Sequence, residues 1–142
     1  MLMLDTHVWI WLLNGETRLE RSGFLPAIED AAKRAEVFIS AISLWETAML
    51  IRRNRISISE NTSDWFKEAL SAPGIFVIPL SSEISVESTL LPGDFHGDPA
   101  DEIIVATARV HDAALVTFDE KILKYSKKGY LRVLEKPRRK QT

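Results

Sequence analysis

The chain has 142 residues, of which 46% are hydrophobic, 27% are charged and none is cysteine. This balance suits one globular domain large enough to bury a core. It excludes a disordered or collagen-like chain, a disulfide framework, a thiolate zinc site and a cysteine nucleophile. Net charge is only −2, but it is unevenly divided: Lys121 to Thr142 holds nine bases and one acid, whereas the first 120 residues hold nine bases and nineteen acids. An acidic body with a basic end points to a nucleic acid or another polyanion as partner, the plain alternative being a solvated, poorly ordered tail.

The opening, MLMLDTHVWIWLL, begins with a short apolar strand, Met1 to Leu4, that stops at Asp5. It has no basic leader, Asp5 and His7 interrupt it, and no run in the chain reaches the roughly 18 apolar residues of a membrane helix. A cytoplasmic protein is therefore expected. His7 to Leu13 has helical spacing through Trp9, Leu12 and Leu13, and Asn14-Gly15 stops it. Pro26 to Ala35 predicts a helix with proline in its first turn, and Val37 to Ile39 a buried strand. Ser43 to Asn54 predicts a helix in which Ser43 and Glu46 form a capping box and Arg52, Arg53 and Arg55 favour the dipole at its end.

A short helix, Ser63 to Leu70, follows with Ser63 as its cap, and Ala72-Pro73-Gly74 breaks it. Phe76 to Leu80 predicts a strand and Ser82 to Leu91 a helix ended by Pro92-Gly93. Asp98-Pro99 opens a strong helix, with Asp98 as N-cap, Asp101 and Glu102 in the first turn and Ile104, Val105 and Ala108 towards the core. Ala114 to Phe118 predicts a buried strand followed by Asp119 and a short helix through Lys124. Leu131 to Leu134 predicts a last strand. Strands alternating with helices imply an α/β fold with a mainly parallel central sheet flanked by helices, spanning residues 1–135, with 136–142 as a basic tail. No internal repeat and no glycine-rich phosphate loop interrupts this pattern.

Ligands of such sheets bind beyond the carboxyl ends of the strands. Asp5 and Asp119 each follow a strand directly, while Glu46, Asp98 and Asp101 lie in the first turns of helices. The fold can thus gather four or five carboxylates at one end, where their repulsion favours a divalent cation such as Mg²⁺ or Mn²⁺ and metal-assisted phosphodiester cleavage. Each acid also has a structural explanation: Asp5, Asp98 and Asp119 as helix caps, Asp101 as a dipole partner and Glu46 as the capping-box residue. Asp5 is the hardest to explain in this way, because an unpaired acid beside Leu4, Val8 and Trp9 is costly to desolvate. Thr6 and Thr117, beside two of the acids, offer hydroxyls to a carboxylate or a water. Glu102, Asp94 and Asp112 read as solvated. His7, His96 and His111 have no ligand spacing, and Trp9, Trp11, Trp45 and Trp65 read as core or interface residues.

Four segments in order, MLMLDTHVWIWLL, SAISLWETAMLI, LPGDFHGDPADEIIVATA and ALVTFDEKIL, resemble PIN-domain proteins, most closely the VapC-type toxins of bacterial type II toxin–antitoxin systems. The resemblance covers nearly the whole chain. It implies a single PIN-like domain and Mg²⁺- or Mn²⁺-dependent endoribonuclease activity from an acidic quartet falling on Asp5, Glu46, Asp101 and Asp119, with Asp98 assisting through water. It also implies a homodimer and a cognate antitoxin, for which Trp9, Trp11, Leu12 and the helix from Ser43 offer apolar surface. One departure stands out: many relatives carry Arg after the DPAD segment, where this chain has Glu102.

RNA approaching an acidic centre needs flanking bases, and Arg52, Arg53, Arg55, Lys136, Arg138, Arg139 and Lys140 are the candidates. Two other functions compete. A phospho-accepting receiver domain needs an acidic pair after the first strand and an acid on a central one, but only Asp5 is present and VFISAIS has none. A non-catalytic PIN-fold module binding RNA or a partner is the alternative that the intact acids disfavour.

Overall fold

Alternating strands and helices build one sheet in the structure, a computed structural model that describes residues 1–137. The strands are β1 (Leu2–Leu4), β2 (Val37–Ser40), β3 (Ile75–Ile78) and β4 (Ala114–Val116). All neighbours pair in parallel, in the order β3-β2-β1-β4. Eight helices connect or follow them among the described residues: α1 (Thr6–Asn14), α2 (Thr17–Ser22), α3 (Leu25–Lys33), α4 (Ala41–Arg52), α5 (Thr62–Leu70), α6 (Ser82–Thr89), α7 (Pro99–Val110) and α8 (Glu120–Ser126). The basic tail residues Arg138, Arg139 and Lys140 lie outside the described residues.

Period-two alternation divides the core between the two faces of the sheet. Leu4, Val37, Ile39 and Val116 pack with Val8 and Trp9 of α1 and Ile28 of α3. Met3 and Leu115 face the opposite way, onto Ile104, Val105 and Ala108 of α7 and Ile122 and Tyr125 of α8. These apolar residues are almost wholly removed from solvent. No helix among the described residues is long and apolar enough to cross a membrane.

The sheet order sets the place of the site. From β1 the chain builds β2 and β3 on one side and places β4 on the other, so the strand order reverses at β1. A crevice opens beyond the carboxyl ends of strands where connections diverge in this way. Leu4 is in register with Val116, and the Asp5 N–H continues the ladder by donating to the Val116 carbonyl at 3.0 Å.

Several expected boundaries change. Helix α4 begins two residues before Ser43, because Ser40 caps it and accepts from the Ile42 N–H at 3.2 Å. The Ser43–Glu46 capping box is therefore absent, and Ser43 is fully buried inside the helix. Asn61, not Ser63, caps α5, and β3 begins at Ile75 and ends at Ile78. Helix α2 is an addition to the expected elements; no side chain caps it and Leu19 is its one buried residue, so its pattern is faint. Leu131 to Leu134 is not a strand. It makes an isolated parallel bridge, Leu115 with Val133, because it bonds to the backbone of Leu115 alone, through Arg132 and Leu134.

Candidate functional site

Two hydroxyls organise the crevice. Asp5 caps α1 and is 4% exposed. Its Oδ1 accepts the Thr6 N–H at 2.8 Å and its Oδ2 accepts the Thr117 hydroxyl at 2.7 Å. Thr117 Oγ1 in turn accepts the Asp119 N–H at 3.0 Å, and Asp119 caps α8 by accepting from Ile122 N–H at 3.0 Å. The end of β1 is thereby tied to the end of β4 across 112 residues of chain.

Thr6 does the same towards α4. Its hydroxyl donates to Glu46 Oε1 at 2.6 Å and lies 2.8 Å from the Ser43 hydroxyl. Thr6 has one hydroxyl proton, and giving it to Glu46 leaves Ser43 as the donor in the second bond. The buried Ser43 is thus a support for Thr6 rather than a cap. Asp98 caps α7 by accepting the Asp101 N–H at 2.8 Å. The carboxylate of Asp101 has no hydrogen-bond or ion-pair partner among the described residues.

The other four acids all fall within electrostatic reach of Asp101. Burial, then the negative charges of Asp98, Asp5, Asp119 and Glu46, push the Asp101 carboxyl up to about 7. Burial also raises Glu46; the Thr6 hydrogen bond opposes this, and Asp5 and Asp98 reinforce it. The acids that the sequence separates by more than a hundred positions therefore share a single field.

His7 belongs to the same edge, and sequence reasoning gave it no partner. Its Nε2 accepts the Phe118 N–H at 3.0 Å, so the proton of the neutral ring sits on Nδ1, 3.6 Å from Asp5 Oδ2. Burial lowers its pKa, with Asp5 and Asp119 pulling the other way. The signal available in sequence was its place two residues after Asp5, on the first turn of the helix Asp5 caps.

The basic and aromatic candidates separate. Arg53 lines a cleft of about 290 Å³ with Trp45, Glu46, Met49, Leu50 and Asp98, while Arg52 and Arg55 are exposed and outside it. Lys136 lines a different cleft, beside Phe24 and Thr117. Trp45 is 58% exposed, so of the two expected places, core or interface, it does not take the core, whereas Trp9 is wholly buried and offers no surface to a partner. Glu102 is half-buried rather than solvated; Asp94 and Asp112 are exposed as expected.

The donor chemistry suits a hard divalent cation, since every group in the cluster offers oxygen and the carboxylates that already accept a hydrogen bond keep further lone pairs. The side chains are not drawn into a finished cage: among the described residues, no three acids or histidines stand close enough to hold one ion as they are. Mutual repulsion disfavours gathering uncompensated carboxylates, and three of them, Asp5, Asp98 and Asp119, cap helix N-termini instead.

Comparison with known proteins agrees with this architecture. The PIN domain family model matches residues 2–128. Ribonuclease VapC22 of Mycobacterium tuberculosis (strain ATCC 25618 / H37Rv) is 32% identical over 120 residues, 84% of this chain and 88% of that protein. Among solved structures, a toxin-antitoxin complex from Klebsiella pneumoniae contains a chain with TM-score 0.59 and 23% identity, covering 84% of this chain and 87% of that one. VapBC2 from Rickettsia felis, bound to a DNA fragment from its promoter, gives TM-score 0.67 and 21% identity over 94% of this chain and 96% of the other. At those identities the two structures speak for the fold.

Proposed function

This chain belongs to the PIN-domain family, and from that premise we propose that it is a metal-dependent endoribonuclease, the toxin of a toxin–antitoxin pair. The observation that carries the reading is Asp101: a partly buried carboxyl pushed up to about 7 by burial and four surrounding acids, with no protein donor beside it among the described residues. A fold that gathers this much negative charge at a strand-order reversal is arranged for a cation.

Asp5, Glu46, Asp101 and Asp119 are the residues that would hold Mg²⁺ or Mn²⁺, with Asp98 reaching it through water. When bound, the ion supplies a positive field that polarises a phosphoryl oxygen and makes water more acidic. The chain's own work is positioning. Thr117 fixes Oδ2 of Asp5 and the backbone of Asp119, and Thr6, braced by Ser43, fixes Oε1 of Glu46. Arg53 stands beside Glu46 and Asp98, where it offsets the repulsion a phosphodiester meets there.

The antitoxin reading is supported by the likeness to chains of the Klebsiella pneumoniae toxin-antitoxin complex and of Rickettsia felis VapBC2. The cleft of Trp45, Met49 and Leu50, opening onto Glu46, gives an antitoxin segment an apolar seat next to the acids. A homodimer suits the exposed Phe76, Val77 and Leu80 on and just beyond β3, an edge strand, which a second copy would cover. Residues 136–142 are proposed as a basic extension of the domain.

The test is RNA cleavage by purified protein with Mg²⁺ or Mn²⁺, with EDTA, and by Asp5→Asn. Cleavage that needs the cation and disappears in the variant is the expected result. Equal cleavage by Asp5→Asn refutes the site. RNA binding without product under Mn²⁺, across many RNAs, turns the reading to a non-catalytic binding module.

A further inference from the structure

A further cleft adjoins the acids and carries the opposite charge. It has a volume of about 290 Å³ and is lined by Lys121, Lys124 and Lys128 of and just after α8, by His96, Asp94 and Phe95 of the loop before α7, and by Tyr125. Lys121 and Lys124 stand three residues apart on one face of α8, and Lys128, just past its end, lines the same cleft. All three are exposed, and none is in an ion pair among the described residues. The one carboxylate in the lining, Asp94, leaves the cleft clearly positive.

The floor is rigid. Tyr125 is 2% exposed, donates its hydroxyl to the Pro92 carbonyl at 2.6 Å, and meets Phe95 edge-on at 5.0 Å between centroids. That arrangement fixes the loop over α8. The cleft also adjoins the acid cluster through two routes. Asp119 is the cap of the helix that carries the lysines. A methyl group added at Gly97 would come within 2.8 Å of the Phe95 ring and 2.9 Å of Asp101 Cβ, so the wall of the cleft and the acid at the cluster's centre are in contact through that glycine.

We propose that this lysine-lined cleft is a phosphate-binding subsite that holds the RNA backbone beside the bond to be cut. This rests on the ribonuclease reading and extends it. The acids repel a polyanion, and lysines one helical step away supply the attraction that brings a strand to them. A row of unpaired lysines follows a repeating phosphate backbone better than it grips a single ion. The position next to Asp101 and Asp119 favours the substrate over an acidic protein segment. The lysines are positioning residues, with no part in bond cleavage.

The experiment is binding of a fluorescently labelled single-stranded RNA in EDTA, titrated with salt, for the wild type, the triple variant Lys121→Gln, Lys124→Gln, Lys128→Gln, and Lys67→Gln as a control. Lys67 is an exposed lysine on α5, outside the cleft. The expected result is at least about a tenfold loss of affinity in the triple variant at low salt, with the slope of log affinity against log salt shallower by about 0.7 for each phosphate no longer neutralised. Cleavage kinetics with Mn²⁺ then show the loss in KM rather than kcat, and Lys67→Gln changes neither. Unfolding curves confirm that the exposed substitutions leave the fold intact. Affinity and slope in the triple variant equal to those of Lys67→Gln overturn the subsite while leaving the nuclease reading standing. Wild-type RNA binding without cleavage overturns the nuclease reading and leaves the subsite to be judged by the same titration. No RNA binding by the wild type overturns both. A parallel titration with labelled poly-glutamate completes the test: its binding lost in the triple variant with RNA binding retained reassigns the cleft to an acidic peptide and also overturns the subsite.

Discussion

The Asp101→Asn variant melts at a higher temperature than the wild type in metal-free buffer at pH 8, yet it loses nearly all of its RNA cleavage. Both halves follow from one carboxyl. In the folded protein it titrates at about 7, against 3.8 for an ordinary Asp, because burial and four acids disfavour its charge. A folded-state pKa above the unfolded one means that the folded chain holds the proton more tightly. The stability this contributes is complete below about pH 4, and it is lost as pH rises through about 7. At pH 8 the wild type bears the ionised group in full and the asparagine does not. We expect a gain of about 1–2 kcal/mol, discounted for the solvent that reaches a half-buried group, or roughly 3–8 °C. At pH 4 the difference vanishes. Calorimetric melts of both proteins across this range check the sign, and a cleavage assay checks the loss, expected to be at least about 10²–10³-fold. A variant that melts lower than the wild type at pH 8 contradicts the reading.

The Gly74→Ala variant fails to accumulate as folded protein at 37 °C. Gly74 has φ of +81°, and a Cβ placed on it would lie 2.0 Å from the carbonyl oxygen and 2.7 Å from the carbonyl carbon of Ala32. Those atoms are backbone of α3 and cannot swing aside, while Gly74 is held on the other side where its carbonyl accepts the Val37 N–H. Relief requires moving β3 or α3, and the loss exceeds about 3 kcal/mol. Gly15→Ala is the contrast: its φ of +62° is similar, but nothing lies within 4 Å of the added Cβ. That variant loses only about 1 kcal/mol. Urea unfolding of the two variants distinguishes steric collision from backbone preference.

Much of the candidate site was legible because several of the candidate acids stand where apolar runs end. Asp5 was the clearest: a carboxylate between Leu4 and Val8 has only a helix cap as its ordinary reason to be buried, and the structure gives it that cap, a second hydrogen bond from Thr117 and a place at the strand-order reversal. The caps at Asp98 and Asp119 were legible too, since Pro99 marks the first turn of one helix and a strand end precedes the other. In neither case does capping compete with joining the cluster, because the other carboxylate oxygen remains available to a ligand. The hydroxyls of Thr6 and Thr117 stand beside acids in the sequence, and both prove to be carboxylate partners.

What the sequence concealed depends on contacts between distant segments. Ser40 and Ser43 each precede apolar helical residues, and spacing alone favours Ser43 because Glu46 follows it by three. Only the neighbouring α1 reveals that the Ser43 hydroxyl is needed by Thr6. His7 has no partner in its own segment; its bond is to Phe118, 111 residues away. Leu131 to Leu134 carries a strand's alternation, but a strand also needs a partner ladder, and β4 offers it one residue. Trp45 points out of a helix whose apolar residues gave no sign of which face would be covered. The lysines of α8 read in sequence as part of a basic end, and only the loop at Phe95 makes them one side of a cleft.

The central claim is that five dispersed acids form one site for a divalent cation, and titration of Mn²⁺ into the purified protein at pH 8, followed by calorimetry, tests it most directly. The account predicts saturable binding by the wild type, accompanied by a rise in melting temperature, and loss of both in Asp5→Asn and in Asp101→Asn while Asp112→Asn, an exposed acid outside the cluster, binds as the wild type does. Equal Mn²⁺ binding by all four proteins would contradict it.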